Sequence, residues 1–274
     1  MDEINVSTLR DYQLKIMDKV DEFCRNNNIA YYLFSGTLIG AIRHNGYIPW
    51  DDDIDIMMFR DDYEKFIDLF NKENKEFHAY SSRTDKGYNL HFCKISYDKT
   101  TLIETNLEPN DRVQLGINID LFPIDNYPKA YDGDRLLKLL HKMDLLMYCK
   151  SFRYSRLRYK PLRQQLLILT LKFLSILISK TYLCKKQEKL AKQFNKKPCS
   201  TCSVITCHYK HRIPVWNIED FESVDHIFEG RKYKIPKGYH RILTEQWGDY
   251  MKLPPVEQRV THHSFIAWEG RKNG

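Results

Sequence analysis

The feature that most constrains the fold is an acidic stretch in which polar and apolar residues alternate. Residues 51–56 read Asp-Asp-Asp-Ile-Asp-Ile. Successive side chains of a β-strand point to opposite faces, so Asp53 and Asp55 share one face while Ile54 and Ile56 point into a core. We therefore predict a strand over residues 53–59. Two carboxylates about 7 Å apart on one strand face repel each other and require a cation, for which Mg²⁺ is well suited.

A glycine-containing turn lies just upstream of the acidic stretch. The apolar run 31–34 predicts a strand, and residues 38–44 predict a short helix that Asn45-Gly46 ends. Gly36 and Thr37, at this junction, are suited to bind a phosphate, because glycine lets a ligand approach the backbone and a helix N-terminus offers unpaired N–H groups. Together with metal-binding carboxylates, this turn predicts phosphoryl or nucleotidyl transfer. A solvated acidic loop beside an ordinary glycine turn is the alternative.

A second candidate strand carries another carboxylate. Apolar residues alternate along residues 116–125, so Asp120 lies on a strand whose other face is buried. An Asp in such a position needs a partner. The partner is either a structural hydrogen bond or a metal ion. Because of the acidic stretch upstream, we favour Asp120 as a third metal ligand.

These residues resemble a known family. Residues 36–55, Gly-Thr-Leu-Ile-Gly-Ala-Ile-Arg-His-Asn-Gly-Tyr-Ile-Pro-Trp-Asp-Asp-Asp-Ile-Asp, closely resemble the signature of the LicD family of phosphotransferases, which also includes the fukutin-like ribitol-phosphate transferases. The similarity continues in residues 119–125 and returns at 248–255 and 262–263. The resemblance implies an α/β (α+β) fold, with a nucleotidyltransferase core like that of DNA polymerase beta, a mixed sheet and a helical insertion.

The resemblance also implies the residues of the site. Asp53, Asp55 and Asp120 would be both catalytic residues and metal ligands for two Mg²⁺ ions, with Mn²⁺ as an alternative. We interpret Arg43, just past the turn, as a phosphate contact, or else as a partner of Asp51 or Asp52. Asp120 is the favoured general base, with His262 or His263 as its competitors. The candidate substrate-binding residues are Ser35, Gly36, Thr37, Arg43, His44, Trp50, Arg259, His262 and His263.

The resemblance implies the activity as well. The expected reaction transfers phosphocholine from a CDP-linked donor such as CDP-choline to a sugar hydroxyl and releases CMP. The acceptor would be a glycan or lipid-linked glycan of the cell surface: teichoic acid, lipopolysaccharide or capsule. The alternatives are polyol-phosphate or phosphoethanolamine transfer from another CDP-linked donor, and a binding protein that has kept the fold without catalysis.

We expect three parts, with the catalytic core in residues 1–128, a basic helical insertion in 129–197, and a C-terminal part in 198–274 that completes the core and the acceptor side. The chain has a net charge of +7, but Leu145 to Gln187 hold ten Lys and Arg residues and no Asp or Glu. The rest of the chain is therefore net acidic, and the basic segment suggests a local anionic partner.

Within the basic segment, residues 161–180 predict a mostly apolar helix with a narrow polar stripe at Gln165, Lys172, Ser175 and Ser179. The run is shorter than the roughly 20 residues needed to span a bilayer. We therefore predict that an anionic membrane surface binds residues 150–186. A buried core helix and a dimer helix are the alternatives. No nucleic-acid-binding motif accompanies the segment, so we predict no nucleic-acid partner.

The cysteines indicate a reducing compartment. The chain has seven cysteines with irregular spacing, and residues 1–10 do not resemble a secretory signal. We expect a cytoplasmic protein, peripheral on the inner face of the cell membrane. Cys199, Cys202, Cys207 and His211 or His208 have spacings that could ligate zinc, with ordinary buried thiols as the alternative. No oligomeric state is predicted.

Overall fold

The computed structural model describes residues 3–106, 113–207, 209–261 and 265–270. His208, His262 and His263 therefore lie outside the described residues. Within these ranges the centre of the fold is a seven-stranded mixed sheet in the order β1-β2-β6-β4-β3, with β7 pairing to β6 and β8 to β7. Its strands are β1 Tyr32–Leu33, β2 Asp55–Phe59, β3 Phe77–Tyr80, β4 Cys93–Tyr97, β6 Ile117–Asn126, β7 Thr201–Ser203 and β8 Trp216–Asn217.

The pairing of β2 with β6 is parallel, and the other pairs of this sheet are antiparallel. Two smaller antiparallel pairs complete the strands. They join β5 (Thr100–Glu104) to β11 (Phe265–Glu269), and β9 (Ser223–Phe228) to β10 (Arg231–Pro236). The predicted mixed α/β architecture with a mixed sheet is confirmed.

The helices are α1 Val6–Asn27, α2 Ser35–His44, α3 Arg60–Glu73, α4 Asp134–Ser151, α5 Tyr154–Leu157, α6 Leu162–Leu174, α7 Lys180–Ala191 and α8 Tyr239–Trp247. Helices α4 to α7 all fall within residues 129–197, between β6 and β7. The division of the chain into three parts stays a prediction.

The sheet has a hydrophobic core on each face. On one face, Ile56 and Leu121 pack in the cluster that contains Met17 of α1 and Phe66 of α3. On the other face, Met57 and Phe122 join the cluster of Trp216, Phe221 and Ile242. Because strand side chains alternate, Asp55 and Asp120, each two residues before these apolar residues, belong to the second face.

Two element boundaries differ from the prediction. Helix α2 begins at Ser35 rather than Leu38, because Phe34 is already extended and its carbonyl accepts the N–H of Leu38 at 3.1 Å. Strand β2 begins at Asp55 rather than residue 53. The preceding loop follows a different path, since its backbone carbonyls are held by side chains of α1.

The helix predicted over residues 161–180 is also shorter than expected. Helix α6 ends at Leu174, and Ser179 is the N-cap of α7, where its side chain accepts the N–H of Tyr182. Serine is a favoured N-cap residue because its hydroxyl satisfies a free N–H of the first turn. No helix among the residues that the structure describes has the length and apolarity needed to cross a membrane.

All seven cysteines are free thiols. Cys202 is fully buried, and Cys199 lies 3.6 Å from the hydroxyl of Thr201. In the described part of the chain, the zinc ligands proposed from the cysteine spacing do not converge on one point. The buried-thiol alternative fits Cys202, whereas Cys199 and Cys207 are half-buried.

Candidate active site

The candidate site is a row of three side chains across neighbouring strands. Asp55 of β2 lies directly opposite Asp120 of β6, and Asp120 lies directly opposite Lys94 of β4. Directly opposed residues on neighbouring strands have side chains on the same face about 5 Å apart. The parallel pairing of β2 with β6 therefore brings together two carboxylates that are 65 positions apart in the sequence.

Lys94 completes the row as the positive member. Its Nζ donates to Oδ1 of Asp120 at 2.6 Å and to Oδ1 of Asn118 at 3.1 Å. The side chains of Lys94 and Asp120 are 14% and 17% exposed, so their ion pair is largely shielded from water. Burial by itself lowers the pKa of Lys94, but the charge of Asp120 and its hydrogen bond raise that pKa above its usual value.

Asp55 has an environment that resists its charge. Burial raises its pKa well above the usual range, and the nearby carboxylates of Asp53 and Asp120 raise it further, against a smaller opposing effect of Lys94. Like charges that share a site disfavour each other's ionised form. A bound cation is the ordinary way to keep such a set of carboxylates charged.

The acidic loop before β2 lies next to this row. Its three consecutive aspartates, Asp51 to Asp53, have carboxylate oxygens within 4.8 Å of one another. Asp53 is also close enough to Asp55 and Lys94 to shift their pKa values upward. The loop thus concentrates negative charge beside the strand row.

Helix α1 holds the backbone of the loop in place. Arg10 donates from one guanidinium nitrogen to the carbonyls of Pro49 at 3.1 Å and Asp51 at 2.5 Å, and Gln13 donates to the carbonyl of Asp52 at 2.8 Å. These bonds hold the backbone of the loop through its carbonyl oxygens. The sequence prediction missed Arg10 and Gln13, since nothing in the periodicity of α1 indicates what its polar side chains contact.

The start of α2 borders the same loop. The hydroxyl oxygen of Thr37 accepts the N–H of Asp55 at 2.8 Å, so the predicted phosphate-binding residues are joined directly to β2. Gly36 faces Asp51, and a Cβ there would lie 2.8 Å from its Oδ2. Ser35 has a φ of +48°, in the left-handed region that non-glycine residues seldom adopt. The N-terminus of α2 therefore lies against the acidic loop.

Arg43 and His44 lie at the opposite end of α2. The sequence interpretation placed these two residues just past the phosphate-binding turn. A ten-residue helix is about 15 Å long, so they lie about one helix length from that turn. Nη1 of Arg43 donates to the carbonyl of Tyr250 at 2.6 Å. This contact joins α2 to the C-terminal segment, and the phosphate contact of Arg43 stays a prediction.

Two other predicted substrate-binding residues, His44 and Arg259, lie next to Trp50. The ring centroid of Trp50 is 6.5 Å from the ring centroid of His44. Cζ of Arg259 lies 5.4 Å from the ring centroid of Trp50. Burial and then the neighbouring Arg259 lower the pKa of Arg43, while burial and then Arg43 lower the pKa of His44. Since Trp50 immediately precedes Asp51, this cationic and aromatic cluster adjoins the acidic loop. His262 and His263 cannot be placed relative to it, because they lie outside the described residues.

The residues present fit a divalent metal. In the described part of the chain, ligand atoms converge in Asp51, Asp52 and Asp53, whereas the predicted set was Asp53, Asp55 and Asp120. Asp53 belongs to both sets, and Asp55 and Asp120 are neighbours across the strands. Every donor is a carboxylate oxygen, which is the ligand type that Mg²⁺ and Mn²⁺ prefer.

Comparisons with known proteins identify the family. The model of the LicD/FKTN/FKRP nucleotidyltransferase domain matches residues 28–132, which include the start of α2, the acidic loop, Lys94 and Asp120. The chain is 32% identical over 279 aligned residues to the lipopolysaccharide cholinephosphotransferase LicD of Haemophilus influenzae. That alignment covers 95% of this chain and 98% of the relative. The chain belongs to the LicD family.

Two further relatives are similar over less than half of their length. They are uncharacterized proteins of Rickettsia prowazekii, 33% identical over 129 residues and 45% of the relative, and of Rickettsia typhi, 31% identical over 141 residues and 45% of the relative. Membership in the LicD family makes this chain a transferase of a phosphate-containing group. The family predicted from the signature is confirmed.

Proposed function

We propose that this LicD-family protein transfers phosphocholine from CDP-choline to a hydroxyl group of lipopolysaccharide and releases CMP. The observation that carries the proposal is the row of Asp55, Asp120 and Lys94 beside the start of α2, in a chain that aligns with nearly the whole length of a lipopolysaccharide cholinephosphotransferase. The fold would be that of a nucleotidyltransferase, which is the domain type of the matching family model.

The donor would lie with its pyrophosphate between the N-terminus of α2 and the carboxylates. Ser35, Gly36 and Thr37 are the first three residues of α2, and the N-terminus of a helix stabilises anions. Because Gly36 has no side chain, the backbone there can lie close to the carboxylate of Asp51. The pyrophosphate would therefore be held close to the strand row.

Asp53, Asp55 and Asp120 would hold Mg²⁺, as one or two ions, with Mn²⁺ as an alternative. The metal would supply positive charge against the pyrophosphate and the developing charge of the reaction. Lys94, whose pKa is raised by Asp120, would keep Asp120 oriented on the sheet face. The carboxylates and the ammonium would thus be in place before the donor arrives, which lowers the cost of ordering them during catalysis.

The reaction balances without a redox partner. The oxygen of the acceptor hydroxyl forms a bond to the choline-bearing phosphorus, and the bond from that phosphorus to the bridging oxygen breaks. CMP leaves with the electron pair of that bond. The proton of the hydroxyl goes to a base, for which Asp120 is the favoured candidate and His262 or His263 the alternatives.

The acceptor would approach along the C-terminal side. Arg259 stacks over Trp50 at the edge of the acidic loop, which supports a role for these two residues in orienting a sugar or its phosphate substituents. Because lipopolysaccharide is anchored by lipid, the enzyme would work as a peripheral protein on the inner face of the cell membrane. Teichoic acid and capsule are the other acceptors to be tested.

CMP release tests the donor. The purified protein is incubated with lipopolysaccharide as acceptor and with CDP-choline, CDP-ethanolamine, CDP-ribitol or CTP, each with and without Mg²⁺, and free CMP is measured. We expect CMP from CDP-choline in the presence of Mg²⁺. Asp55→Asn should lower the rate at least about a hundredfold, because losing several kcal/mol of transition-state stabilisation costs about tenfold for each 1.4 kcal/mol.

The outcomes separate the alternatives. Faster CMP release from CDP-ribitol or CDP-ethanolamine would replace phosphocholine by another substituent. Normal turnover in a folded Asp55→Asn variant would refute the metal assignment. A binding protein without catalysis would be favoured by a different pair of results: CDP-choline stabilises the protein against heat, and no donor releases CMP even when each acceptor is supplied.

A further inference from the structure

Helix α6 turns one stripe of polar side chains toward the protein, whereas its other polar residues, Arg163, Gln164 and Thr170, are exposed. Gln165, Lys172 and Ser175 lie three or four residues apart around the buried Ile168, so they share one helical face. Gln165 donates to the carbonyl of Lys160 at 2.8 Å, and Lys172 to the carbonyl of Phe152 at 2.7 Å. Three members of the predicted polar stripe therefore lie on the inner side of α6 and its C-cap, whereas the fourth, Ser179, is exposed and is the N-cap of α7.

Large apolar side chains cover the outer surface of the same element. This apolar surface consists of Leu162, Leu166, Leu167, Leu169, Phe173 and Leu174 of α6 and of Ile176 and Leu177 in the following turn. Phe173 is 74% exposed and Leu177 is 95% exposed. A surface helix in water ordinarily has the opposite arrangement, with apolar residues inside. Contiguous exposed apolar patches mark interaction sites.

The same segment of the chain also exposes basic and aromatic side chains. Arg156, Arg158 and Arg163 are exposed in the segment Leu145 to Gln187, which has ten Lys and Arg residues and no acidic residue. The segment also has exposed tyrosines, namely Tyr148, Tyr154, Tyr159 and Tyr182. Tyrosine at the edge of an apolar surface is typical of the boundary between lipid and water.

We infer that the apolar surface of α6 and its following turn docks into an anionic lipid monolayer, with its flanking arginines on the headgroups. Charge complementarity favours this partner, because the segment attracts anions and has no acidic residue to repel them. A second copy of the chain would bring two strongly basic segments together, which is unfavourable. Helix α6 has only 13 residues, whereas a spanning helix needs about 20, so it lies in the plane of the membrane.

This docking surface goes beyond the proposed transfer reaction and can be tested without a donor. The full chain is floated with phosphatidylcholine vesicles that contain or lack phosphatidylglycerol, at low and at high salt. The test variant is Phe173→Ser/Leu177→Ser, which removes two side chains that are exposed in the free protein. The control variant is Val6→Ser/Val256→Ser, which removes apolar side chains that are 47% and 72% exposed elsewhere on the surface.

We expect the protein to float with phosphatidylglycerol vesicles at low salt and to detach at high salt. The test variant should bind at least about tenfold more weakly, since each large apolar side chain that is removed from lipid weakens binding by that order. The control variant should bind like the original protein. Arg156→Gln/Arg163→Gln should lower binding to anionic vesicles and reduce its dependence on salt.

Three results would overturn the inference. The first is the absence of flotation with either vesicle at low salt. The second is unchanged binding of Phe173→Ser/Leu177→Ser. The third is a dimer of the original protein that this variant converts to a monomer, without vesicle binding, because the surface would then be a contact between two copies. Circular dichroism and thermal melting of each variant verify that it is folded.

Discussion

Replacing Lys94 by methionine tests the strand row without touching a proposed metal ligand. Methionine keeps most of the length and the apolar part of the side chain but removes the ammonium. In the original protein, that ammonium lies 2.6 Å from Oδ1 of Asp120. The variant leaves the carboxylate of Asp120 beside Asp55 and Asp53, with no positive neighbour on β4.

The size of the effect follows from the geometry. Two unit charges 2.6 Å apart attract by about 6 kcal/mol at an effective dielectric constant of about 20. Desolvation offsets part of this attraction, and stranding one charge of a buried pair typically costs about 3–5 kcal/mol. The lower end applies because both side chains are about one-sixth exposed. We therefore expect Lys94→Met to lower the free energy of unfolding by about 3 kcal/mol in the absence of metal.

Urea unfolding with and without Mg²⁺ measures this effect. Mg²⁺ should reduce the loss, because a bound cation takes over the charge of the missing ammonium and stabilises only the folded state. Lys99→Met is the matched control. Lys99 pairs with Glu76 at 3.6 Å, but their side chains are 62% and 51% exposed, so its removal should cost at most about 1 kcal/mol. Equal stabilities of Lys94→Met and Lys99→Met without metal would refute the reasoning.

Two further predictions concern α2 and the C-terminal segment. Gly40→Ala should lower the free energy of unfolding by about 1–3 kcal/mol, because the new Cβ would lie 2.4 Å from the carbonyl oxygen of Gly46. Urea unfolding measures this loss, and unchanged stability would show that the backbone can move aside. Arg259→Ala should weaken transfer to lipopolysaccharide while the slow hydrolysis of CDP-choline by water stays nearly normal. Parallel assays of transfer and CMP release test this, and equal losses in both would place Arg259 on the donor side.

The sequence predicts individual strands of the site well. Apolar alternation over residues 116–125 predicts β6 to within one residue, because one strand face is buried along its length. The same pattern places Asp120 on the strand face opposite to Ile119 and Leu121, which lie in the core. Periodicity therefore identifies the carboxylates of the site.

The alternation of residues within a strand does not predict which strands pair or in which register. Nothing within β2, β4 or β6 specifies that Asp55, Asp120 and Lys94 occupy one row, since their register depends on contacts between distant parts of the chain. Lys94 does alternate with the buried Cys93 and Ile95, and that position could have indicated a polar residue facing the acidic strand. Without the pairing, the alternation alone does not identify its partner.

Loop geometry is the other part that the sequence does not predict. Asp53 continues the alternation of β2, but it lies before the strand because Arg10 and Gln13 fix the carbonyls of the loop. The side chains of α1 that hold the loop are about 40 residues away along the chain. For the same reason, the contact of Arg259 with Trp50 could not be anticipated from either local pattern.

The most direct measurement of the central claim is the transfer itself. The purified protein is incubated with Mg²⁺, CDP-choline labelled in its choline, and lipopolysaccharide that lacks choline. The label in the re-isolated lipopolysaccharide and the amount of free CMP are then both measured. The proposed function predicts that both products appear in equal amounts, and that Asp55→Asn abolishes them together. The proposed function would be contradicted if the label stayed in CDP-choline or in free phosphocholine, provided that every acceptor preparation was supplied and the protein was folded and metal-bound.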